Sequence, residues 1–174
     1  MFSNPIKNLK AFGLREDSIV ADLGAGTGYY TVAVSPIIYK GRVYAIDIVK
    51  DFLTTIRNKV IDQDLNNVEI VWGNVEKIGG SQLRDSIVDG VIASNILFQV
   101  EDKNKFIEEI RRILKPKGRV LLVDWAVEQN NVFPKIKGTL PKDLAHDMFA
   151  NKGFALERHI DAGPHHYGMI LIKN

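Results

Sequence analysis

Apolar and polar positions follow two rhythms along this chain. Short runs rich in β-branched residues recur at 18–23, 42–47, 68–72, 87–94 and 119–125 and read as strands. Between them, apolar residues return every three or four positions, the helical period. The clearest such stretch is 102–115, where Phe106, Ile107, Ile110, Ile113 and Leu114 share one face and charged residues take the other, until Pro116 and Gly118 end it. A second helix is expected over 50–64, and 1–17 has room for a short one. The alternation predicts an α/β fold, a parallel sheet with helices between the strands and on both faces. Beyond the fifth strand, 126–138 has no clear period, 139–152 reads as helix, and strands are expected at 153–161 and 167–173. The short link Ala162-Gly163-Pro164-His165-His166 makes that last pair antiparallel. No internal repeat or low-complexity linker interrupts the pattern.

With 174 residues, 45% hydrophobic and 25% charged, the chain is expected to form one domain over 1–174 with a single core. No apolar run approaches the roughly 18 residues of a membrane span, and no secretory leader opens the chain, so the expected location is the cytoplasm. Without cysteine there is no disulfide, thiolate metal site or thiol nucleophile. A net charge of +2 carries no signal for nucleic acid. No two histidines stand at ligand spacing beside a carboxylate, so no metal is expected.

The most informative segment is Val20-Ala21-Asp22-Leu23-Gly24-Ala25-Gly26-Thr27-Gly28, a strand end running into three alternating glycines, after which Tyr29-Tyr30-Thr31-Val32-Ala33 starts a helical pattern. Glycine admits positive φ and lets a ligand lie against the backbone, while the following helix offers free N–H groups to a carboxylate or phosphate. A plain strand-to-helix turn is the rival reading. The dinucleotide fingerprint G-x-G-x-x-G needs its third glycine where this chain has Tyr29, which makes NAD the second choice. Asp47 closes the next apolar run, roughly twenty residues on, the separation at which an acidic side chain accepts both ribose hydroxyls. Its rival role is to cap the helix that follows.

The segment 21–28 resembles the first motif of the class I S-adenosylmethionine-dependent methyltransferases, whose cofactor presents a methionine carboxylate in place of a pyrophosphate. Together with Val43-Tyr44-Ala45-Ile46-Asp47, Leu114-Lys115-Pro116-Lys117-Gly118-Arg119 and Val123-Asp124-Trp125, it is most similar to the type 11 group, which includes the ubiquinone and menaquinone C-methyltransferases. The resemblance spans about 18–173 and implies a Rossmann-like three-layer sandwich, a seven-stranded mostly parallel sheet in the order 3-2-1-4-5-7-6 with the last strand antiparallel. It implies S-adenosylmethionine as cofactor, with Asp22, Gly24, Ala25, Gly26 and Gly28 around its methionine part, Asp47 at the ribose and Ile48 on the adenine face. An ordinary core role is the alternative for Ile48 and for Val49. Asn74 stands where the family commonly has an acidic residue after glycine, and its amide oxygen, with the Val75 N–H, implies the adenine contacts; a turn-forming asparagine is the rival. Asn95, at the end of the fourth strand, falls beside the cofactor sulfur. The Pro-Pro-Tyr signature of enzymes acting on exocyclic or amide nitrogens is missing, which turns the expectation away from such acceptors.

In that topology the sixth strand runs parallel to the fifth, so the hairpin bearing His165, His166 and Tyr167 returns at the edge where Asp124-Trp125 ends. An imidazole beside a carboxylate has a raised pKa and can take a proton from a substrate hydroxyl or enol, which makes His165, His166 and Asp124 the candidate catalytic groups. A polar hairpin tip with structural histidines is the other reading. His146 and His159 fall away from that edge. Tyr29 and Tyr30 either wall the methyl-transfer site or pack into the core. The expected activity is methyl transfer to a small-molecule acceptor; a cofactor-binding scaffold without turnover and an NAD-dependent oxidoreductase are the alternatives. The one internal segment long enough to cover a substrate is 126–138, unless the site is open to a bulky substrate or completed by a second subunit in a homo-oligomer.

Overall fold

A computed structural model describes residues 4–126 and 137–174. Each β-branched run is a strand, and the elements follow one another as α1 (Pro5–Phe12), β1 (Ile19–Leu23), α2 (Tyr29–Val34), β2 (Arg42–Asp47), α3 (Lys50–Asp62), β3 (Val68–Trp72), β4 (Val88–Ser94), α4 (Lys103–Ile113), β5 (Leu114–Trp125), α5 (Lys142–Ala150), β6 (Phe154–Ile160) and β7 (His166–Lys173). The strands form one seven-stranded sheet in the order β3-β2-β1-β4-β5-β7-β6. From β3 to β5 neighbours run parallel, and β7 is antiparallel to both β5 and β6, as the resemblance implied. The order reverses between β1 and β4, so the helices after these two strands leave on different sides and a crevice opens at their carboxyl ends.

Helices cover both faces of the sheet, and its central strands are accordingly apolar at nearly every position rather than alternating. On one side Phe106, Ile107, Ile110 and Ile113 of α4 and Phe149 of α5 pack on Val91, Ala93, Leu122 and Met169. On the other, Leu9 and Phe12 of α1 and Val34 of α2 pack on Val20, Val43, Ile92, Val123 and Ile170. Leu53 and Ile56 bring α3 down on Ala45. Among the described residues no helix is long and apolar enough to cross a membrane.

Local chemistry explains where the elements stop. Asn4 caps α1 by accepting the Lys7 N–H at 3.2 Å, and Gly13 ends the helix in the left-handed conformation at φ 65°. Asp102 caps α4 by accepting the Lys105 N–H at 3.0 Å. Leu114, expected on the helix, is instead the first residue of β5, extended at φ −73° and ψ 135° and paired with Val88. The helix must stop before the residue that precedes Pro116, and the chain passes directly into the strand. Similarly, α5 begins only after Pro141. Of the expected covering segment 126–138, residues 127–136 lie outside the described residues.

A larger departure lies between β3 and β4, where turns replace the expected helix. Glu109 of α4, fully buried, organises them: its carboxylate accepts the Gly79 N–H at 2.8 Å, the Ser81 N–H at 3.1 Å and the Ser81 hydroxyl at 2.5 Å. Arg112 donates to the same carboxylate through two nitrogens, each at 2.8 Å. Burial alone would raise the Glu109 pKa, but the Arg112 guanidinium and the donors from Ser81 and Gly79 outweigh it and hold the carboxyl below its usual range. Glu109→Ala should therefore destabilise the fold by about 2–4 kcal/mol, because it leaves those donors unpaired; urea unfolding followed by circular dichroism measures the loss.

Candidate functional site

The glycine turn sits where the strand order reverses. Gly24, Gly26 and Gly28 have φ of 66°, 54° and 81°, all in the left-handed region. The Gly24 and Ala25 amides both donate to the Ile46 carbonyl, at 2.9 and 3.0 Å, which ties the turn to the end of β2. A Cβ on Gly24 would lie 2.6 Å from Ile96 Cδ1, whereas one on Gly26 would meet nothing within 4 Å. The first glycine, at positive φ, is thus packed closely against the Ile96 side chain, and the second faces open space. The helix that follows, α2, is only six residues long.

Asp47, buried at the end of β2, joins the turn to α3. Its Oδ2 accepts the Gly26 N–H at 2.8 Å and its Oδ1 accepts the Val49 N–H at 2.9 Å. Each oxygen keeps a second lone pair for a further donor. The helix cap itself is Val49, so Asp47 supports the helix start by bonding the cap residue's amide. Ile48 and Val49 are exposed, which removes the core role for both.

Gly24, Gly26, Asp47, Ile48, Asn74 and Val75 line a cleft of about 230 Å³ along the carboxyl ends of the strands. Phe52, Ile96, Gln99 and Val100 are among the other residues that line it; nothing in the sequence pattern singled out Phe52, Gln99 or Val100, which lack a motif of their own. Asp22, Ala25, Gly28 and Asn95 support the cleft without lining it. Asn74 Oδ1 accepts the Glu76 N–H at 3.0 Å, so its amide oxygen makes the local turn that was its rival role. Asp22 lies beneath the turn and accepts the Thr31 hydroxyl at 2.6 Å. Burial, with a smaller contribution from the Asp47 charge, pushes its pKa up to about 6 against the opposing Thr31 bonds. Asn95 holds φ 54°, unusual for a residue with a side chain, and its amide donates to the Val123 carbonyl at 2.8 Å. A cleft of similar size, about 200 Å³, lies at the opposite edge between Arg15 and Lys117 and has no glycine turn.

At the ends of β5 and β7 the expected pairing of Asp124 with His166 is not formed. Antiparallel register sets Asp124 opposite Tyr167 and Trp125 opposite His166. Successive residues of a strand point to opposite faces, so Asp124 and His166 are separated by the sheet. The Asp124 carboxylate instead accepts the Phe98 N–H at 3.2 Å and the Trp125 N–H at 2.7 Å, holding the turn after β4; burial pushes its pKa up to about 6 despite these bonds. The His166 ring lies 4.2 Å from the Trp125 ring, and its pKa is lowered by burial and by the neighbouring His165, the reverse of the expected shift. His165 is half-buried, and its carbonyl accepts the Ala126 N–H at 2.9 Å. His146 on α5 and His159 on β6 lie away from this edge. Tyr30 packs into the core with its hydroxyl accepting from Asn8 at 2.7 Å, while Tyr29 is exposed.

An α/β sandwich with a glycine turn and an acidic strand end at its switch point defines a nucleotide-type binding fold. A family model for a methyltransferase domain matches residues 14–169, and the chain belongs to that family. It is 34% identical over 116 residues to the ubiquinone/menaquinone biosynthesis C-methyltransferase of Vibrio cholerae, a match that covers 66% of this chain and 44% of that protein. The chain thus spans under half the length of that curated relative. Among solved structures, a SAM-dependent methyltransferase from Aquifex aeolicus superposes with a TM-score of 0.89 at 28% identity, covering 99% of this chain and 91% of that one. A [4+2]-cyclase shares the fold at 14% identity, with a TM-score of 0.79 over 90% of this chain and 74% of that one.

The two elevated carboxyls have a measurable consequence. Asp22, at about 6 in the folded state against 3.8 for an unperturbed carboxyl, favours folding only while protonated. That contribution is complete below about pH 4 and lost as pH rises through about 6. Asp22→Asn stays neutral throughout, so relative to the parent it should gain on the order of 2 kcal/mol between pH 4 and pH 7 in urea unfolding.

Proposed function

We propose that this chain binds S-adenosylmethionine in the glycine-turn cleft and catalyses methyl transfer to a small-molecule acceptor. The observation that carries the reading is the single hydrogen bond, 2.8 Å long, between the Gly26 amide and Asp47: it places a backbone bend with no side chain and a ribose-accepting carboxylate side by side. A Cβ on Gly26 would project into that open space, which suits a ligand lying directly on the main chain. Asp47 accepts the ribose hydroxyls, Ile48 covers the adenine, Val75 and the Asn74 amide meet its edge, and Gly24 to Gly28 take the methionine part with Asp22 beneath. When bound, the cofactor supplies an electrophilic methyl carbon on a sulfonium, open to in-line displacement. The protein's part is to hold the acceptor against that carbon and to exclude water.

Asp124 accepts the Phe98 N–H and so braces the turn after β4 that carries Ile96, which makes it a positioning residue. A base is needed only where the acceptor atom carries a proton. His165, at the hairpin tip, is then the candidate, since register sets His166 on the other face of the sheet against Trp125. The similarity to a quinone C-methyltransferase and the missing Pro-Pro-Tyr signature favour a carbon or oxygen acceptor over an amide nitrogen. Tyr29 in place of the third dinucleotide glycine weighs against NAD.

Calorimetry tests the cofactor assignment. S-adenosylhomocysteine should bind and NADH should not; NADH binding alone would reverse the reading, and bound cofactor without turnover of radiolabelled methyl across a broad acceptor panel would favour the scaffold. Asp47→Ala should weaken S-adenosylhomocysteine binding roughly a hundredfold with an unchanged circular dichroism spectrum.

A further inference from the structure

Buried polar side-chain atoms nearly always have hydrogen-bond partners. Among the described residues the exceptions are Asn8 Oδ1 and a group at one edge of the sheet: Asn95 Oδ1, the Tyr167 hydroxyl and both ring nitrogens of His166. Asn95 follows β4, Tyr167 is the second residue of β7, and β5 lies between those strands. Because β7 runs against β5, its first residues stand at the carboxyl edge, beside the turn whose Ile96 walls the cofactor cleft. Tyr167 is 6% exposed, and no group among the described residues satisfies its hydroxyl.

Resting on the reading of the cleft as a methyl-donor site, we propose that Tyr167 and Asn95 form the acceptor subsite, with the Tyr167 hydroxyl donating to a hydroxyl or carbonyl oxygen of a neutral acceptor. Burial and the facing Asp124 charge both raise the Tyr167 pKa, so the hydroxyl keeps its proton at neutral pH and remains a donor. Asn95 Oδ1 supplies the complementary acceptor. The carboxylate of Asp124, set opposite Tyr167 in the strand register, repels an anion. Leu97, Val100 and Leu140 belong to the same apolar cluster as Tyr167. This set of groups matches an uncharged molecule with one oxygen to read, and it opposes a carboxylate or phosphate. His166, consecutive with Tyr167, stands on the other face against Trp125.

Tyr167→Phe retains the ring and removes only the hydroxyl. Ligand-observed NMR with phenol as neutral probe and benzoate as its anionic counterpart, run with and without S-adenosylhomocysteine, reads the effect. Phenol should bind the parent more tightly than benzoate does and lose about tenfold in affinity in Y167F, the value of one hydrogen bond. The variant should melt no lower than the parent and bind S-adenosylhomocysteine equally well. Equal phenol affinity in the two proteins, no phenol binding, or a preference for benzoate overturns the subsite. Failure of the parent to bind S-adenosylhomocysteine overturns the cofactor reading instead, since the phenol comparison is also read without it.

Discussion

The cleft depends on one carboxylate. Asp47 is buried, and a buried ionised group must find donors or lose its charge. It finds them in the amides of Gly26 and Val49, which belong to two different connections of the fold. Through Asp47 the bend after β1 and the entry to α3 become a single unit, and Gly26 and the carboxylate line the same cleft. Asp22, buried beneath the turn and close enough to feel the Asp47 charge, holds its proton more strongly than an ordinary carboxyl.

The same device recurs around the cleft. Glu109 reaches from α4 to gather the amides at Gly79 and Ser81, and Asp124 reaches from β5 to the amide of Phe98. Connections that lack a ladder of their own must satisfy their backbone groups elsewhere. Here side chains on rigid strands and helices do so, and the loops that frame the cleft inherit the precision of the sheet. The cost is visible in chemistry: Asp22 and Asp124 both ionise later than an ordinary carboxyl because desolvation outweighs the bonds they receive.

The strands were legible because parallel strands buried on both faces are short, mostly apolar runs rich in β-branched residues, as Ile19–Leu23 is. The glycine turn was legible because alternating glycines before a helical pattern have few other uses, and Asp47 because its separation from them follows from the geometry of two adjacent parallel strands. Glu109 was not. In the sequence it reads as one more charge on the polar side of a helix, and only the docking of 79–81 against that side buries it. The boundary at Leu114 escaped for a related reason: its apolar side chain fits the helical period, but Pro116 and the pairing with Val88 draw it into the sheet.

What the chain determined by itself is therefore the order of its strands and most of its helices, the family to which they belong and the bend that can receive a ligand, all of which rest on local periodicity and backbone freedom. The tertiary structure alone decided which side chains meet at the carboxyl edge. Topology brings Asp124, His166 and Tyr167 to one place, but the pleat of antiparallel strands sends Asp124 and Tyr167 to one face and His166 to the other. That choice depends on register, a property of two strands distant in sequence, and no spacing within either strand encodes it.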